Sequence, residues 1–294
     1  DAGLAHLNSV RSLDDLNLSN TRVSDRSLGW IGLQPGRTRV SLAHTRVSRE
    51  GYESLKRTHP HWARRLEWSE RNHELAQVVH RLGGQVWIAA REEEEAKLVK
   101  NPEELVRGYF QVRRVILAGV REPLGNLPAM LAQLSDPAWD RLEVLELSGR
   151  PVPDLGFLHG VKTLTELRLV DAQLNDQTLS RLPPLPKLKK LVLDGNEIGA
   201  VGAGHLAATF PQLEELSLAR TRCDAPSILQ LTALKELRVL NLAHTAIQDN
   251  ALKEITKLSQ LKSLDLRGTK VSANSVAELQ KALPQCRIVW DGAK

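Results

Sequence analysis

Apolar residues recur along the chain in a short frame of fixed spacing. The first, fourth and sixth positions of the frame are apolar, and a small polar residue often fills the ninth position. The clearest copies begin at Leu13, Leu164, Leu188, Leu213, Leu237 and Leu261, and weaker copies begin at Arg37, Val112 and Leu142. The later copies start about two dozen residues apart, a period that indicates stacked structural repeats.

The spacing within one copy predicts a short strand, a turn and a helix. Residues that alternate along a strand point to opposite sides, so the fourth and sixth positions face inward and stacked copies form a parallel sheet. Apolar residues two places past the ninth position are predicted to fill the turn from inside; they are Val23, Val47, Leu174, Ile198, Cys223, Ile247 and Val271. Apolar residues spaced three apart then indicate helices, as in 179–185 and 252–258. Asp25, Asp176 and Asp249 precede such runs and are predicted to cap the helix N-termini.

The complete pattern, LxxLxLxxT followed by x-(I/V)-x-D-x-x-L, resembles a leucine-rich repeat and is close to the ribonuclease-inhibitor-like and bacterial T-x-V-(S/T)-D classes. The resemblance covers almost the entire chain. It implies an α/β solenoid with a parallel sheet on a concave wall and helices on a convex wall. It names no ligand, because the family shares an architecture and not a binding partner.

Two similar segments indicate that the repeats form two arrays. Residues 47–68 and 271–290 each contain a helical pattern, a proline and a strand ending in Trp68 or Trp290, which is the pattern of a C-terminal cap. Residues 74–82 predict a helix, Gly83 and Gly84 break it, and 85–89 predict a strand that starts a new array. We therefore expect residues 1–68 to be the end of a first array and 69–294 to be a second, capped array. One continuous solenoid with an insertion is the alternative.

The first residues of the chain match the middle of a repeat. The segment that begins at Asp1 aligns with the segment that begins at Asp25, where the helix starts, so the strand expected before it is missing. Terminal repeats are usually complete polar caps. The sequence is therefore expected to be a piece of a larger protein.

Composition narrows the classes of function. The chain is 41% hydrophobic and 26% charged, which is typical of a folded protein, and it has no long apolar run that would predict a membrane span. Two cysteines without a CxxC spacing favour a reducing, cytoplasmic compartment.

The net charge is +5, and residues 1–68 hold eleven Lys and Arg against seven Asp and Glu. A second hypothesis is therefore polyanion binding by the first array, through Arg22, Arg37, Arg39, Arg46, Arg64 and Arg65.

Motifs for catalysis or metal binding are not evident in the sequence. GxSxG, GxxxxGK(S/T) and HExxH are absent, and His59 with His61 has no third ligand nearby, which makes a poor zinc site. We therefore predict no catalytic residue, no metal and no cofactor in this chain. An enzyme activity would require a catalytic domain outside it.

The predicted binding site is the exposed side of the strands. Side chains at the third, fifth and seventh positions leave the core and form columns on the concave wall, with Glu166 beside Arg168 and Lys190 near Asp194. We expect this wall to bind a protein partner, with nucleic acid disfavoured. The candidate residues are Asp15, Asn17, Arg39, Arg114, Glu146, Glu166, Arg168, Lys190, Asp194, Glu215, Asn241, Asp265 and Arg267.

Overall fold

The structure is a computed structural model of the chain, and it forms two compact units, Asp1–Arg114 and Val115–Lys294. It describes residues 2–5, 15–18, 21–33, 39–41, 47, 49–60, 72, 75–89, 95–100, 111–118, 141–152, 154–159 and 161–292. The predicted array boundary between residues 68 and 69 lies outside the described residues and stays a prediction. Each unit is described by itself.

The described residues of the first unit include a pair of stacked repeats. Strands β1 (Asp15–Asn17) and β2 (Arg39–Ser41) are parallel, with Leu16 opposite Val40. The helices are α1 (Ala2–Ala5), α2 (Leu28–Gly32) and α3 (Arg49–Thr58), and a 3-10 turn, Asp25–Ser27, precedes α2. One buried cluster joins these elements; it contains Leu4, Leu16, Leu18, Val23, Leu28, Ile31, Val47 and Leu55.

The rest of the first unit contains the predicted helix, glycine break and strand. Residues 75–81 are helical, Gly83 has a φ of 70°, and β3 (Gln85–Ala89) follows. Strand β4 (Lys97–Val99) pairs antiparallel with β3, and β5 (Gln111–Ile116) spans the boundary between the two units. Those three sequence predictions are confirmed. The cap strand expected to end at Trp68 lies outside the described residues.

The second unit is a regular stack of parallel strands. They are β6 (Val144–Glu146), β7 (Glu166–Arg168), β8 (Lys190–Val192), β9 (Glu215–Ser217), β10 (Val239–Asn241), β11 (Ser263–Asp265) and β12 (Arg287–Val289). Each strand pairs with the next one along the chain, and the central residues of neighbouring strands lie opposite each other. The predicted parallel stacking of copies is therefore confirmed.

The leucine frame forms the core of this unit. Leu164, Leu167 and Leu169 are fully buried, and the equivalent leucines of the following repeats are at most 2% exposed. The turn positions Leu174, Ile198, Cys223 and Ile247 are also buried, whereas Val271 near the end of the stack is half-buried. Each repeat therefore covers the apolar side of its neighbour, which is how a solenoid buries its core.

The helices follow the strands with one departure from the expected lengths. They are α4 (Asp176–Leu179), α5 (Ala200–Thr209), α6 (Ala225–Leu231), α7 (Asp249–Ile255) and α8 (Ala273–Ala282), and a 3-10 turn occupies Gly156–Leu158. The helix predicted over 179–185 ends at Leu179. Pro183 and Pro184 lie in that stretch and disfavour helical backbone, although Leu182 and Leu185 are still buried.

Asp176 and Asp249, two of the three aspartates expected to cap their own helices, accept hydrogen bonds from the next repeat instead. Asp176 and Asp249 are the first residues of α4 and α7, which begin after Asn175 and Gln248. Asp176 Oδ1 accepts a hydrogen bond from the backbone N–H of Gly199, at the start of the following helix. That prediction was wrong, because the carboxylate reaches the helix of the next repeat.

The eighth position of each repeat in the second unit lies in a tight turn with a left-handed backbone. Glycine occupies this position in three repeats, since it adopts a positive φ without steric cost. Asp171, Arg220 and His244 adopt the same backbone with φ values of 49°, 55° and 56°. The turn therefore keeps one geometry while its side chain varies.

Candidate functional site

The candidate site is the solvent-facing side of strands β6 to β12, which we call the strand face. It carries the third, fifth and seventh positions of each repeat. On β7, Glu166 and Arg168 are partly exposed while Leu167 between them is fully buried, as the alternation of a strand requires. The sheet therefore fixes the direction of every side chain on this face.

Four side chains on three neighbouring strands form a continuous set of ion pairs. Arg168 Nε lies 2.5 Å from Glu166 Oε1, and Lys190 Nζ lies 3.6 Å from the same oxygen. Lys190 Nζ also lies 3.3 Å from Glu215 Oε2. The sheet register causes this arrangement, because Glu166, Lys190 and Glu215 lie directly opposite one another. We call Arg168, Glu166, Lys190 and Glu215 the charged ladder.

Asp194 does not join the charged ladder. Its Oδ1 accepts hydrogen bonds from Ser217 Oγ at 2.5 Å and from the backbone N–H of Ala219 at 3.0 Å. The expected proximity of Lys190 and Asp194 therefore does not produce an ion pair. The seventh position of one repeat instead contacts the fifth and seventh positions of the next.

A second charged pair lies near the C-terminal end of the strand face. Arg267 donates from Nε and Nη2 to both carboxylate oxygens of Asp265, and its backbone N–H also donates to Asp265. The guanidinium of Arg267 holds the pKa of the Asp265 carboxyl below its ordinary value, and Asp265 raises the pKa of Arg267. This pair stays ionised at neutral pH.

The surface between the charged ladder and this pair carries no charge. Ser217, Val239, Asn241 and Ser263 lie there and are half-buried. Asn241 Oδ1 accepts a hydrogen bond from the backbone N–H of Ala243 at 3.0 Å, so its amide nitrogen still has donor capacity. The strand face therefore presents an uncharged strip bordered by charges on both sides.

The remaining predicted residues lie elsewhere. Arg114 is exposed, and its guanidinium lies 5.3 Å from the centre of the Trp87 ring, within range of a cation–π interaction. Glu146 is half-buried on β6. Asp15, Asn17 and Arg39 belong to β1 and β2, where the structure describes the backbone and not these side chains.

One charged pair beside the strand face was not anticipated. Arg220 Nη2 lies 3.5 Å from Asp171 Oδ2, although a whole repeat separates the two residues. Gly195 lies between them, and a Cβ atom there would overlap the Asp171 carboxylate. The sequence does indicate this pair, because Asp171, Gly195 and Arg220 occupy the eighth position of three successive repeats.

The basic residues proposed for polyanion binding are mostly outside the described residues. Arg22 is exposed, and the side chains of the other five arginines are not described. Within the described part of the chain, no group of three His, Cys, Asp or Glu side chains could hold a metal ion. None of the described helices combines the length and the apolar composition that a bilayer crossing needs.

A family model supports the repeat assignment for one stretch of the chain. The family model described as "Leucine Rich repeat" matches residues 185–207. The fold is a leucine-rich-repeat solenoid. Among solved structures, the chain is similar to internalin C2 from Listeria monocytogenes, with 20% identity and a TM-score of 0.41 over 58% of this chain and 85% of that one. No curated protein matches the sequence.

Proposed function

We propose that this chain is a non-catalytic protein-interaction module, part of the recognition or scaffold region of a larger protein, and that it binds its partner through the strand face. Leucine-rich-repeat proteins generally act in protein–protein interaction. The observation that carries the proposal is the charged ladder beside the uncharged strip, held on parallel strands. Side chains fixed in this way lose little further freedom on binding, which favours association.

The ladder is suited to recognition more than to stabilising the fold. Its side chains are 21% to 44% exposed, and ion pairs at such positions contribute about 0 to 1 kcal/mol each to stability. Alternating charges instead select a partner with the complementary pattern and speed the encounter. Aromatic residues, which dominate tight interfaces, are missing from the described strand face of β6 to β12. We therefore expect moderate affinity.

The pKa of the Cys223 thiol and the ion pairs of the charged ladder both argue against catalysis by these side chains. Burial raises the pKa of the Cys223 thiol to about 12, so that almost no thiolate forms at neutral pH. The acids of the charged ladder are paired with Arg168 and Lys190. We therefore expect neither Cys223 nor the acids of the charged ladder to take part in catalysis.

We also infer that the repeats belong to the class with the T-x-V-(S/T)-D signature. Residues 21–25 read Thr-Arg-Val-Ser-Asp, and residues 269–272 repeat the first part as Thr-Lys-Val-Ser. In both places the valine follows the ninth position by two residues. Val23 is buried, which is the role this signature requires of it.

An inverted ladder tests the proposed surface without removing its ion pairs. The substitutions are Glu166→Lys, Arg168→Glu, Lys190→Glu and Glu215→Lys. Each pair then keeps opposite charges, so we expect the variant to fold, but the pattern offered to a partner is reversed. We expect partner proteins that the wild-type chain captures from cell extract to fall by about tenfold or more, as measured by quantitative mass spectrometry.

A matched control reverses an ion pair at the C-terminal end of α7. Glu254→Lys with Lys257→Glu exchanges two charges whose side chains lie 2.6 Å apart on and just after α7. We expect this control to capture the same proteins as the wild type. Equal capture by the inverted ladder, the control and the wild type would refute the strand face as the binding surface.

A further inference from the structure

The C-terminal end of the strand stack exposes part of its apolar core. In β11 and the residue after it, the fourth and sixth positions, Leu264 and Leu266, are at most 1% exposed. The equivalent positions of the last repeat are Ile288 and Trp290, and both are half-buried. Among the described residues, no further repeat covers them. This end of the sheet is therefore an apolar surface beside a strand edge.

Among the described strands, β12 pairs with β11 alone, so one of its two hydrogen-bonding edges is open there. Arg287 donates from its backbone N–H to Lys262 O, and Val289 O accepts from the backbone N–H of Leu266, so these two residues face β11. Successive residues of a strand direct their backbone groups to opposite edges. The N–H and C=O groups of Ile288 and Trp290 therefore point away from the sheet.

The open part of the β12 edge begins after Cys286. The carbonyl oxygen of Cys286 lies on the same outer edge, and it accepts a hydrogen bond from Gln280 Nε2 at 2.9 Å. The Gln280 side chain thus covers the edge before β12. The next outward-facing residues are Ile288 and Trp290, which leaves room for a short partner strand.

The charges on this strand are arranged symmetrically about its last residue. Arg287 and Asp291 lie two residues before and two residues after Val289, all three on the strand face, and both charged side chains are exposed. Asp291 Oδ2 accepts a hydrogen bond from the backbone N–H of Gly268 at 2.6 Å, which leaves its other oxygen available. Within the described residues, the Arg287 guanidinium has no ion pair.

We propose that a second copy of this chain pairs with the open edge, with the two β12 strands antiparallel around a two-fold axis at Val289. In this register Ile288 of each copy lies opposite Trp290 of the other. Both residues direct their backbone groups outward, so each of the two opposite pairs exchanges two hydrogen bonds. Arg287 of each copy lies opposite Asp291 of the other, and the strand faces of the two copies continue into each other.

A second copy is the expected partner of this edge because the sequence of β12 is complementary to itself. An antiparallel two-fold axis presents the strand to its own reverse, and the sequence Arg-Ile-Val-Trp-Asp then matches a positive charge with a negative one at both ends. Exposed edges are usually protected by lysine, proline or a bulge. Strand β12 has β-branched residues at its centre and neither lysine nor proline. Pairing also covers the half-buried Ile288 and Trp290.

Charge variants test both the surface and the register. Arg287→Asp places two acids opposite each other at both ends of the strand pair, and Asp291→Arg places two basic residues there. We expect the wild-type chain to form dimers at high concentration in sedimentation velocity experiments and each variant to dimerise about tenfold to a hundredfold more weakly. An equimolar mixture of the two variants restores opposite charges at both ends, so we expect it to form heterodimers.

Two further variants separate this interface from general effects on folding. Ile288→Pro removes an outward-facing N–H and keeps every backbone hydrogen bond to β11, so we expect an intact fold by circular dichroism and no dimer. Lys281→Glu changes an exposed charge on α8, away from the edge, and is expected to dimerise like the wild type. A wild-type chain that stays monomeric at millimolar concentration overturns the proposal. So does a mixture of Arg287→Asp and Asp291→Arg that forms no heterodimer.

Discussion

The Asp176 carboxylate accepts a hydrogen bond of 2.8 Å from the backbone N–H of Gly199, which precedes the first residue of α5 in the following repeat. Asp249 and Ser272 repeat the relationship between α7 and α8, three helices further along the chain, at 2.7 Å. The N–H groups at the start of a helix have no partner within it. Each carboxylate supplies that partner from the previous repeat, so neighbouring repeats are joined at their helix ends as well as through their leucines.

Removing this link is expected to destabilise the stack. Asp176→Ala leaves the Gly199 N–H without its acceptor and removes a negative charge near a helix N-terminus. We expect the free energy of unfolding to fall by about 1–2 kcal/mol in urea titrations. Glu197→Ala is the control, because Glu197 only pairs with Arg222 on the surface, and its loss is expected to be below about 0.5 kcal/mol. Equal losses in the two variants would show that the link between repeats contributes nothing.

Among the ninth-position residues, Asn196 is expected to contribute most to the stability of the fold. It is 3% exposed, its Nδ2 donates to Leu169 O and Leu193 O, and its Oδ1 accepts from the N–H groups of Ala172 and Leu174. Asn196→Ala leaves these buried groups unpaired, so we expect a loss of about 2–4 kcal/mol by urea unfolding.

Thr245→Ala is the matched variant at the same position of another repeat. The Thr245 hydroxyl donates one hydrogen bond, to Leu242 O within its own turn. We therefore expect a loss of only about 1 kcal/mol. If Thr245→Ala lowers the free energy of unfolding as much as Asn196→Ala does, then Asn196 does not act as a bridge between repeats.

Acid is expected to weaken the link at Asp249. Hydrogen bonds from the backbone and side chain of Ser272 lower the pKa of the Asp249 carboxyl in the folded chain. A carboxyl with a lowered pKa stabilises the fold above its unfolded pKa of about 3.9, and this contribution is lost as the pH falls through the folded value. We expect the stability difference between wild type and Asp249→Asn to be constant from about pH 7 to pH 5 and to shrink below about pH 4. A difference that is the same at every pH would contradict the assignment.

Both thiols are expected to be unreactive in the folded chain. Burial raises the pKa of Cys223 to about 12 and also raises the pKa of Cys286. Ellman's reagent at mildly alkaline pH is therefore expected to label neither thiol until urea unfolds the protein. The Cys286→Ser variant assigns any signal to Cys223. Rapid labelling of Cys223 in the folded variant would contradict its place in the core.

The sequence predicted the core well because burial repeats with the period of the fold. Every first, fourth and sixth position from Leu164 to Leu242 is buried, so the leucines alone determine the strands and their parallel order. The helix lengths were less predictable. Leu182 and Leu185 are buried without being helical, and apolar spacing does not distinguish a buried turn from a helix when prolines intervene.

The arrangement of the charged side chains could be predicted only in part. Strand alternation placed Glu166, Arg168 and Lys190 on one face, and the structure brings them together. Their partners depend on the register between repeats, which put Lys190 beside Glu215 and turned Asp194 toward Ser217. The role of Asp176 was not predicted for the same reason. Its carboxylate accepts a hydrogen bond from the next repeat, and the pattern within a single repeat does not show that contact.

Site-specific photo-cross-linking in living cells tests the strand face most directly. A benzophenone amino acid placed at Ser217 reports contacts of the uncharged strip, and the same group at Leu229, which is 52% exposed on α6, reports contacts of the helical wall. We expect a protein partner to be cross-linked from position 217 and not from position 229. Cross-linking from position 229 alone, or from neither position, would contradict this expectation.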